Sequence, residues 1–280
     1  MKQHIGQRIT ARYSELTPHE QRVATFILDH FDDFAVYNAA ELARMTGVSK
    51  ATVSRLFKRL GFDNFKDVRA HARELRNYGV PLVTGSQTLD QGGELFKRHV
   101  EREQNNLRHC LAALDSTTFK HVIEHLDTAR EVVIIGFRNS YPVALHLRQQ
   151  LVQARDRVRL APQPGQSLAE ELAELSERDL VVVIGFRRRP YNFEALMKRL
   201  AVSDSKILLM GDATAGRFDT AVNWRIECPL DSISAFDSYA TAMSLINLLV
   251  NGLLHHRLKA GRSRIDTISA LYDDLDELAI

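Results

Sequence analysis

Apolar residues recur along this chain in two rhythms, and the change from one to the other divides it. Over residues 1–77 the period is helical. Ile5, Ile9 and Tyr13 share one face of a first segment, and Val23, Phe26, Ile27 and Phe31 one face of a second. Thr17-Pro18-His19-Glu20 opens that second segment with an N-cap hydroxyl, a proline at the first helical position and a glutamate able to reach back to the cap. A third, short helix starts at the capping-box sequence Asn38-Ala39-Ala40-Glu41 and gives way to a tight turn at Thr46-Gly47-Val48. Ser49 then N-caps a fourth helix, in which Val53, Leu56, Phe57 and Leu60 form one apolar stripe, and Gly61 closes it as a left-handed C′ residue. A basic helix over 65–77 follows, with Phe62 and Phe65 packing its start against the bundle.

Residues 78–90 break the rhythm with Gly79, Pro81, Gly85 and small polar side chains, which reads as an interdomain linker. A long helix over 93–113 and a second over 116–128, capped by Asp115, come next. From residue 131 short, continuously apolar runs take over: Val132–Ile135, Val158–Leu160, Leu180–Ile184, Lys206–Met210 and Val222–Cys228. Between them lie helical stretches at 141–154, 167–175 (capped by Ser167) and 190–200, and a long helix over 235–259 follows the last run. Apolar strands alternating with helices predict a parallel sheet covered on both faces. Residues 262–280 read as a terminal helix with an acidic end at Asp273, Asp274, Asp276 and Glu277. The expected fold is thus an all-α domain over 1–77, a linker over 78–90 and an α/β domain over 91–280.

Charge sharpens this division. The net charge of +2 is spread unevenly, because residues 1–78 hold 13 Lys/Arg against 9 Asp/Glu, and residues 44–76 hold 9 against 3. The basic excess sits on and just after the fourth helix, where phosphate contacts would need it. No run of about 18 apolar residues suggests a membrane span, and the first residues lack the apolar core of a secretory signal. Cys110 and Cys228 lie far apart in sequence and outside metal-ligand spacing, as expected of reduced thiols in a cytoplasmic protein.

A short helix, a tight turn and a second capped helix form the bihelical unit of DNA-binding proteins. The face of the second helix opposite its apolar stripe carries Lys50, Ala51, Thr52, Ser54, Arg55, Lys58 and Arg59. These are small, hydroxylic or cationic, as a helix entering a major groove requires. Lys50, Ala51, Ser54 and Arg55, next to the capping Ser49, are expected at base edges. Thr52, Lys58, Arg59 and Lys66 are expected at phosphates of double-stranded DNA.

In open α/β sheets ligands sit beyond the carboxyl ends of the strands. Three junctions there are rich in candidates: Gly136-Phe-Arg138-Asn139-Ser140, Gly185-Phe-Arg187-Arg188-Arg189 and Gly211-Asp-Ala-Thr214. The first two repeat Gly-Phe-Arg, with each glycine expected to let the backbone turn tightly. Arg138, Arg187, Arg188 and Arg189 converge on one edge, and arginine forks match carboxylate and phosphate. With Ser140, and with Ser234 and Ser238 leading into the long helix, they predict a pocket for a small anionic metabolite. The alternative is that some of these arginines pair with Asp or Glu across a subunit interface, or face solvent. Neither loop completes the dinucleotide pattern G-x-G-x-x-G. His146, His255 and His256 stand in no triad or metal spacing, so no catalytic residue, metal ligand or cofactor is expected.

With both halves read, the chain resembles the RpiR/MurR family of bacterial transcription regulators, which join an N-terminal helix-turn-helix to a sugar isomerase (SIS) domain. The resemblance rests on Leu16-Thr-Pro-His-Glu-Gln-Arg-Val-Ala24, Ala40-Glu-Leu-Ala43 and Val48–Phe62 with Phe65-Lys66, and in the second half on the strands that run into Gly136 and Gly185. It implies a homodimer or homotetramer built on the SIS-like domain, a palindromic operator and a phosphosugar effector. Two departures stand out. The first loop of SIS domains usually reads Gly-x-Gly-x-Ser, and here Arg138 replaces its second glycine. The second usually reads Ser-x-Ser-Gly-x-Thr, and here it is Gly185-Phe-Arg-Arg-Arg-Pro190, without a hydroxyl. The chain is therefore expected to be a cytoplasmic regulator whose effector is a phosphosugar or a carboxylate-bearing metabolite. The rival readings are a phosphosugar isomerase with an accessory DNA-binding domain, and a non-specific DNA binder.

Overall fold

Capping and burial shape the first helices in a computed structural model, which describes residues 5–29, 37–78, 93–233 and 236–277. The chain divides into two units, residues 1–99 with 232–236, and residues 100–231 with 237–280. Within the first lie α1 (Ile5–Arg12), α2 (Pro18–Asp29), α3 (Ala39–Thr46), α4 (Lys50–Arg59) and α5 (Phe65–Tyr78). Ile5, Ile9, Leu16, Val23, Ile27, Leu42, Val53, Leu56, Phe57, Leu60 and Val68 bury their side chains together, so the predicted stripes meet in one core. Tyr13 of the expected first stripe stays largely exposed, its hydroxyl bonded to Thr25 at 2.7 Å. Phe31, and the linker 78–90 apart from Tyr78, lie outside the described residues.

The second unit is organised by five parallel strands: β1 (Val132–Gly136), β2 (Val158–Ala161), β3 (Leu180–Ile184), β4 (Lys206–Gly211) and β5 (Trp224–Glu227). Their order across the sheet is β2-β1-β3-β4-β5, with Ile135 beside Ala161 on one side and Val183 on the other. Alternate residues serve opposite faces. Val132, Ile134, Leu180, Val182, Leu208 and Ile226 pack under α7 (Ser116–Thr128), α8 (Ser140–Ala154) and α11 (Ala240–His256). Val133, Ile135, Val181, Val183, Ile207 and Leu209 pack against α9 (Leu168–Leu172), α10 (Phe193–Ala201) and the 3₁₀ turn Ala213–Ala221. Strands buried on both faces have no polar side to show, which is why they read as unbroken apolar runs. Cys110, on α6 (Gly93–Ala113), and Cys228 are free and buried in the first of these cores. No described helix is long and apolar enough to cross a membrane.

Several boundaries differ from expectation. The long helix expected over 235–259 begins only at Ala240, because Asp237 is drawn into an ion pair and the Ser238 hydroxyl accepts the Ala240 N–H at 3.3 Å ahead of the first turn. It stops at His256, where Arg257 leaves helical geometry (φ −116°, ψ 39°), and α12 runs separately over Leu258–Asp274. Ser167 makes no capping bond, and α9 is a short turn. The helix expected from Pro190 starts at Phe193, and β5 is shorter than the expected 222–228 run.

One ion pair fixes where β3 starts. Arg130 donates from Nε to Asp179 Oδ1 at 2.8 Å and from Nη2 to Oδ2 at 2.7 Å, and Ser176 adds its N–H and hydroxyl to Oδ2. Burial pushes the Asp179 carboxyl up, but these donors and the Arg130 charge outweigh it and bring its pKa down to about 2. A depressed carboxylate pKa stabilises the fold above the unfolded value, near 4, and that contribution disappears as pH falls toward 2. Asp179→Asn should therefore cost about 2 kcal/mol at pH 7. In denaturant titrations the gap between variant and wild type should close between pH 4 and pH 2, and a gap independent of pH would show that the charge of Asp179 is immaterial.

Candidate functional site

The basic face of α4 is held outward by bonds at both ends of the helix. At its start Gly47 adopts φ +63°, Val48 N–H reaches Ala43 O at 2.9 Å, and the Ser49 hydroxyl accepts the Thr52 N–H at 3.1 Å. At its end Gly61 adopts φ +83°, and Arg8 donates to Leu60 O at 2.9 Å while its guanidinium lies 4.6 Å from the Phe62 ring centroid. Cations on the last carbonyls of a helix favour its dipole as well as its hydrogen bonding. Arg12 also donates to Arg59 O. Neither Arg8 nor Arg12 carries a local signal of this role, since both lie about fifty residues from the helix they cap.

Of the nine residues expected at DNA, Ser49, Lys50, Ala51, Ser54, Arg55, Lys58, Arg59 and Lys66 are exposed. Thr52 is not. It is only 7% exposed, its hydroxyl hydrogen-bonded to Ser49 Oγ, so it belongs to the cap and not to the outer face. At the third helical position a side chain lies over the capping residue, which the stripe count alone does not reveal. Arg59 is also engaged inward: Nη1 donates to Glu15 O at 2.9 Å and lies 3.4 Å from Glu20 Oε2. Glu20 is itself 3% exposed and closes the capping box of α2 through Thr17. Burial raises its pKa, but the Thr17 bonds and the Arg59 and Arg55 charges bring it below the ordinary value.

In the second unit, β1 and β3 are neighbours whose onward connections lead to opposite faces of the sheet, α8 to one and α10 to the other. Such a switch point leaves a crevice beyond the strand ends. Both loops there are closed by steric need. A Cβ on Gly136 would lie 2.7 Å from Ala144 Cβ, and one on Gly185 2.6 Å from the Phe193 ring. The glycines thus admit close packing and do not themselves turn the chain. The left-handed turns fall on Arg138 (φ +52°) and Arg188 (φ +69°). Ser140 ties the two loops together, its buried hydroxyl accepting the Phe186 N–H at 3.3 Å.

The arginines reach the same sheet edge but bind different partners. Arg138 and Asn139 are exposed. Arg187 donates from Nε to Asp237 Oδ1 at 2.7 Å, and Arg188 Nε lies 3.7 Å from Asp237 Oδ2. Arg189 turns to Asp212 Oδ1 (2.8 Å), Thr214 Oγ1 (2.8 Å) and Gly185 O (2.7 Å), with Phe193 and Phe218 about its guanidinium. Burial lowers the Arg189 pKa in spite of Asp212. For Arg187 burial acts the same way, but the Asp237 bond and charge outweigh it and the net shift is upward. Ser238 is half-buried and bonds Leu230 O through its N–H at 3.1 Å, whereas Ser234 lies outside the described residues. Asp212 and Asp237 are the residues sequence reasoning missed as partners, and an acid in each segment facing an arginine-rich loop was the available signal. Tyr239, its ring tilted against Phe186 at 5.5 Å between centroids, also belongs to this edge.

A left-handed arginine costs about 1–2 kcal/mol that glycine avoids, against about 0.5–1 kcal/mol of added chain entropy. Arg138→Gly should therefore raise stability by about 0.5–1 kcal/mol in a denaturant titration. A loss of stability would mean that Arg138 makes a native contact worth more than its strain.

Comparisons with known proteins agree with both halves. Residues 3–76 match the model of the helix-turn-helix domain of the rpiR family, and residues 125–252 that of the SIS domain. An uncharacterised HTH-type transcriptional regulator of Providencia stuartii is 26% identical over 174 residues, 59% of either chain. The HTH-type transcriptional regulator HexR of Pseudomonas aeruginosa is 24% identical over 188 residues, 66% of this chain and 65% of its own. The chain thus spans 59% and 65% of the lengths of these two curated relatives. Among solved structures, the Vibrio vulnificus NanR protein complexed with ManNAc-6P shares the fold over 97% of this chain and 99% of its own, with a TM-score of 0.57 at 20% identity. The sugar isomerase domain of an RpiR transcription factor from Sphaerobacter thermophilus does so over 63% and 97%, with a TM-score of 0.57 at 17% identity.

Proposed function

The chain joins a helix-turn-helix domain of the rpiR family to an SIS domain, and from that premise we propose that it is a transcription regulator whose DNA binding answers to an anionic metabolite. The observation that carries this reading is the outer face of α4, where Lys50, Ala51, Ser54 and Arg55 stand exposed on a helix whose opposite face is buried. In this reading residues 1–77 bind DNA, 78–90 link, and 91–280 hold the effector and form a homodimer or homotetramer that places two recognition helices on a palindromic operator. Lys50, Ala51, Ser54 and Arg55 meet base edges. Lys58 and Lys66 meet phosphates, joined by Arg59 where its inward bonds leave a donor.

The effector lies in the β1–β3 crevice, with Arg138, Asn139, Ser140, Arg187, Arg188 and Ser238 about it. Arg189 serves the frame of the site through Asp212. The NanR structure holds a sugar phosphate, so phosphosugars head the metabolites to titrate, ahead of carboxylates. The effector must bind the DNA-competent and incompetent forms with different affinity to regulate.

A gel shift on DNA upstream of its own gene, with and without these metabolites, tests the reading. Turnover of a phosphosugar without salt-dependent DNA binding would favour an isomerase instead. Arg55→Ala should lose about 1–3 kcal/mol of discrimination at one base pair, whereas Lys58→Ala should weaken cognate and scrambled DNA alike. Equal losses on both DNAs for Arg55→Ala would remove its readout role. Unchanged metabolite affinity in a variant with Arg138, Arg187 and Arg188 all replaced by alanine would remove the crevice as the effector site.

A further inference from the structure

A second concavity lies on the sheet face away from α8 and α11. Between α10 and the 3₁₀ turn Ala213–Ala221 is a cavity of about 340 Å³. Edge-to-face packing of Phe218 on Phe193, 5.4 Å between centroids, holds the turn against the helix beside it. From α10 come Glu194, Met197, Lys198 and Ala201, which at i, i+3, i+4 and i+7 share one helix face. Met197 and Phe218 are buried and form its apolar wall. Lys198 Nζ and Glu194 Oε1 stand 3.0 Å apart at the same cavity. Arg217 makes no hydrogen bond to any described residue and bears on Glu194 only more weakly than Lys198 does. Its guanidinium lies over the Phe218 ring, 4.7 Å from the centroid. A guanidinium on a ring face keeps the N–H donors at its edge free for a planar acceptor. Two cations and one carboxylate leave the lining with a net charge of +1.

We propose that this cavity is a second ligand site, for a small aromatic monocarboxylate, separate from the β1–β3 crevice. Its volume stands at the lower end of small-molecule pockets, about 300–1,000 Å³, so the ligand is small. The single unmatched charge calls for a monoanion, and a carboxylate is the planar acceptor that the Arg217 fork fits with two parallel bonds. A dianion would bring a charge without a partner close to Glu194. The wall selects the rest of the molecule, because a thioether and a phenyl ring both make favourable contacts with an aromatic ring. None of the lining residues belongs to the crevice, so the proposal stands independently of where the effector binds.

Methionine-methyl NMR of the full chain, titrated with benzoate and with the neutral isostere benzamide, tests this. Benzoate should move the Met197 methyl resonance saturably, and benzamide should bind at least about tenfold more weakly. Arg217 and Ala201 are exposed, so substitutions there leave the core intact. Arg217→Gln should weaken benzoate about ten- to a hundredfold, and Ala201→Leu, which fills the cavity from α10, should abolish the Met197 shift. Arg187→Ala, in the crevice, should leave benzoate affinity unchanged. A Met197 methyl that benzoate does not move overturns the proposal, as does equal binding of benzamide or undiminished affinity in Arg217→Gln. Benzoate binding that is lost in Arg187→Ala but kept in Arg217→Gln belongs to the crevice, and overturns the second site alone.

Discussion

A parallel sheet must be covered on both faces, since each strand returns through a crossover that itself needs somewhere to pack. That constraint orders the second unit. Five strands in the order β2-β1-β3-β4-β5 send α8 to one face and α9 and α10 to the other, and the change of direction falls between β1 and β3. The candidate site follows from it, because the two loops that part there are the two carrying Arg138 and Arg187–Arg189. Gly136 and Gly185 have no room for a Cβ, because Ala144 of α8 and Phe193 of α10 pack directly on the strand ends.

Arginine serves several physical ends in this unit, and only its partners tell them apart. Arg155, 3% exposed, donates to Leu126 O, Ala129 O and Asp156 O. It thereby satisfies carbonyls at the end of α7, although burial lowers its pKa. Arg130 anchors Asp179 at the base of β3, and Arg189 is enclosed with Asp212 and two aromatic rings. A buried pair of this kind contributes little net stability compared with apolar residues, but losing one member leaves a bare charge and is costly. Arg187 and Arg188 differ in that both face the same carboxylate, Asp237.

In the first unit the exposed face of α4 depends on contacts distant in sequence. Arg8 and Arg12 reach the carbonyls at its end, and Arg59 reaches back to Glu20 at the start of α2. These bonds orient the helix so that Lys50, Ser54 and Arg55 point outward together, a requirement for any helix that reads a groove with several side chains at once.

The sequence by itself determined the elements and their faces. The stripe Val53–Leu60, the caps at Thr17, Asn38, Ser49 and Asp115, and the apolar strands ending at Gly136, Gly185 and Gly211 are local patterns, because capping and periodicity act within a few residues. It also placed the arginine loops on one sheet edge. Only the tertiary structure decided that Thr52 is buried, that the turns at Arg138 and Arg188 are left-handed while the glycines are steric, and that Asp237 ends the run toward α11 early. The reason is physical. A fork between Arg187 and Asp237 joins residues fifty positions apart, and a charge has no partner until the chain between is folded.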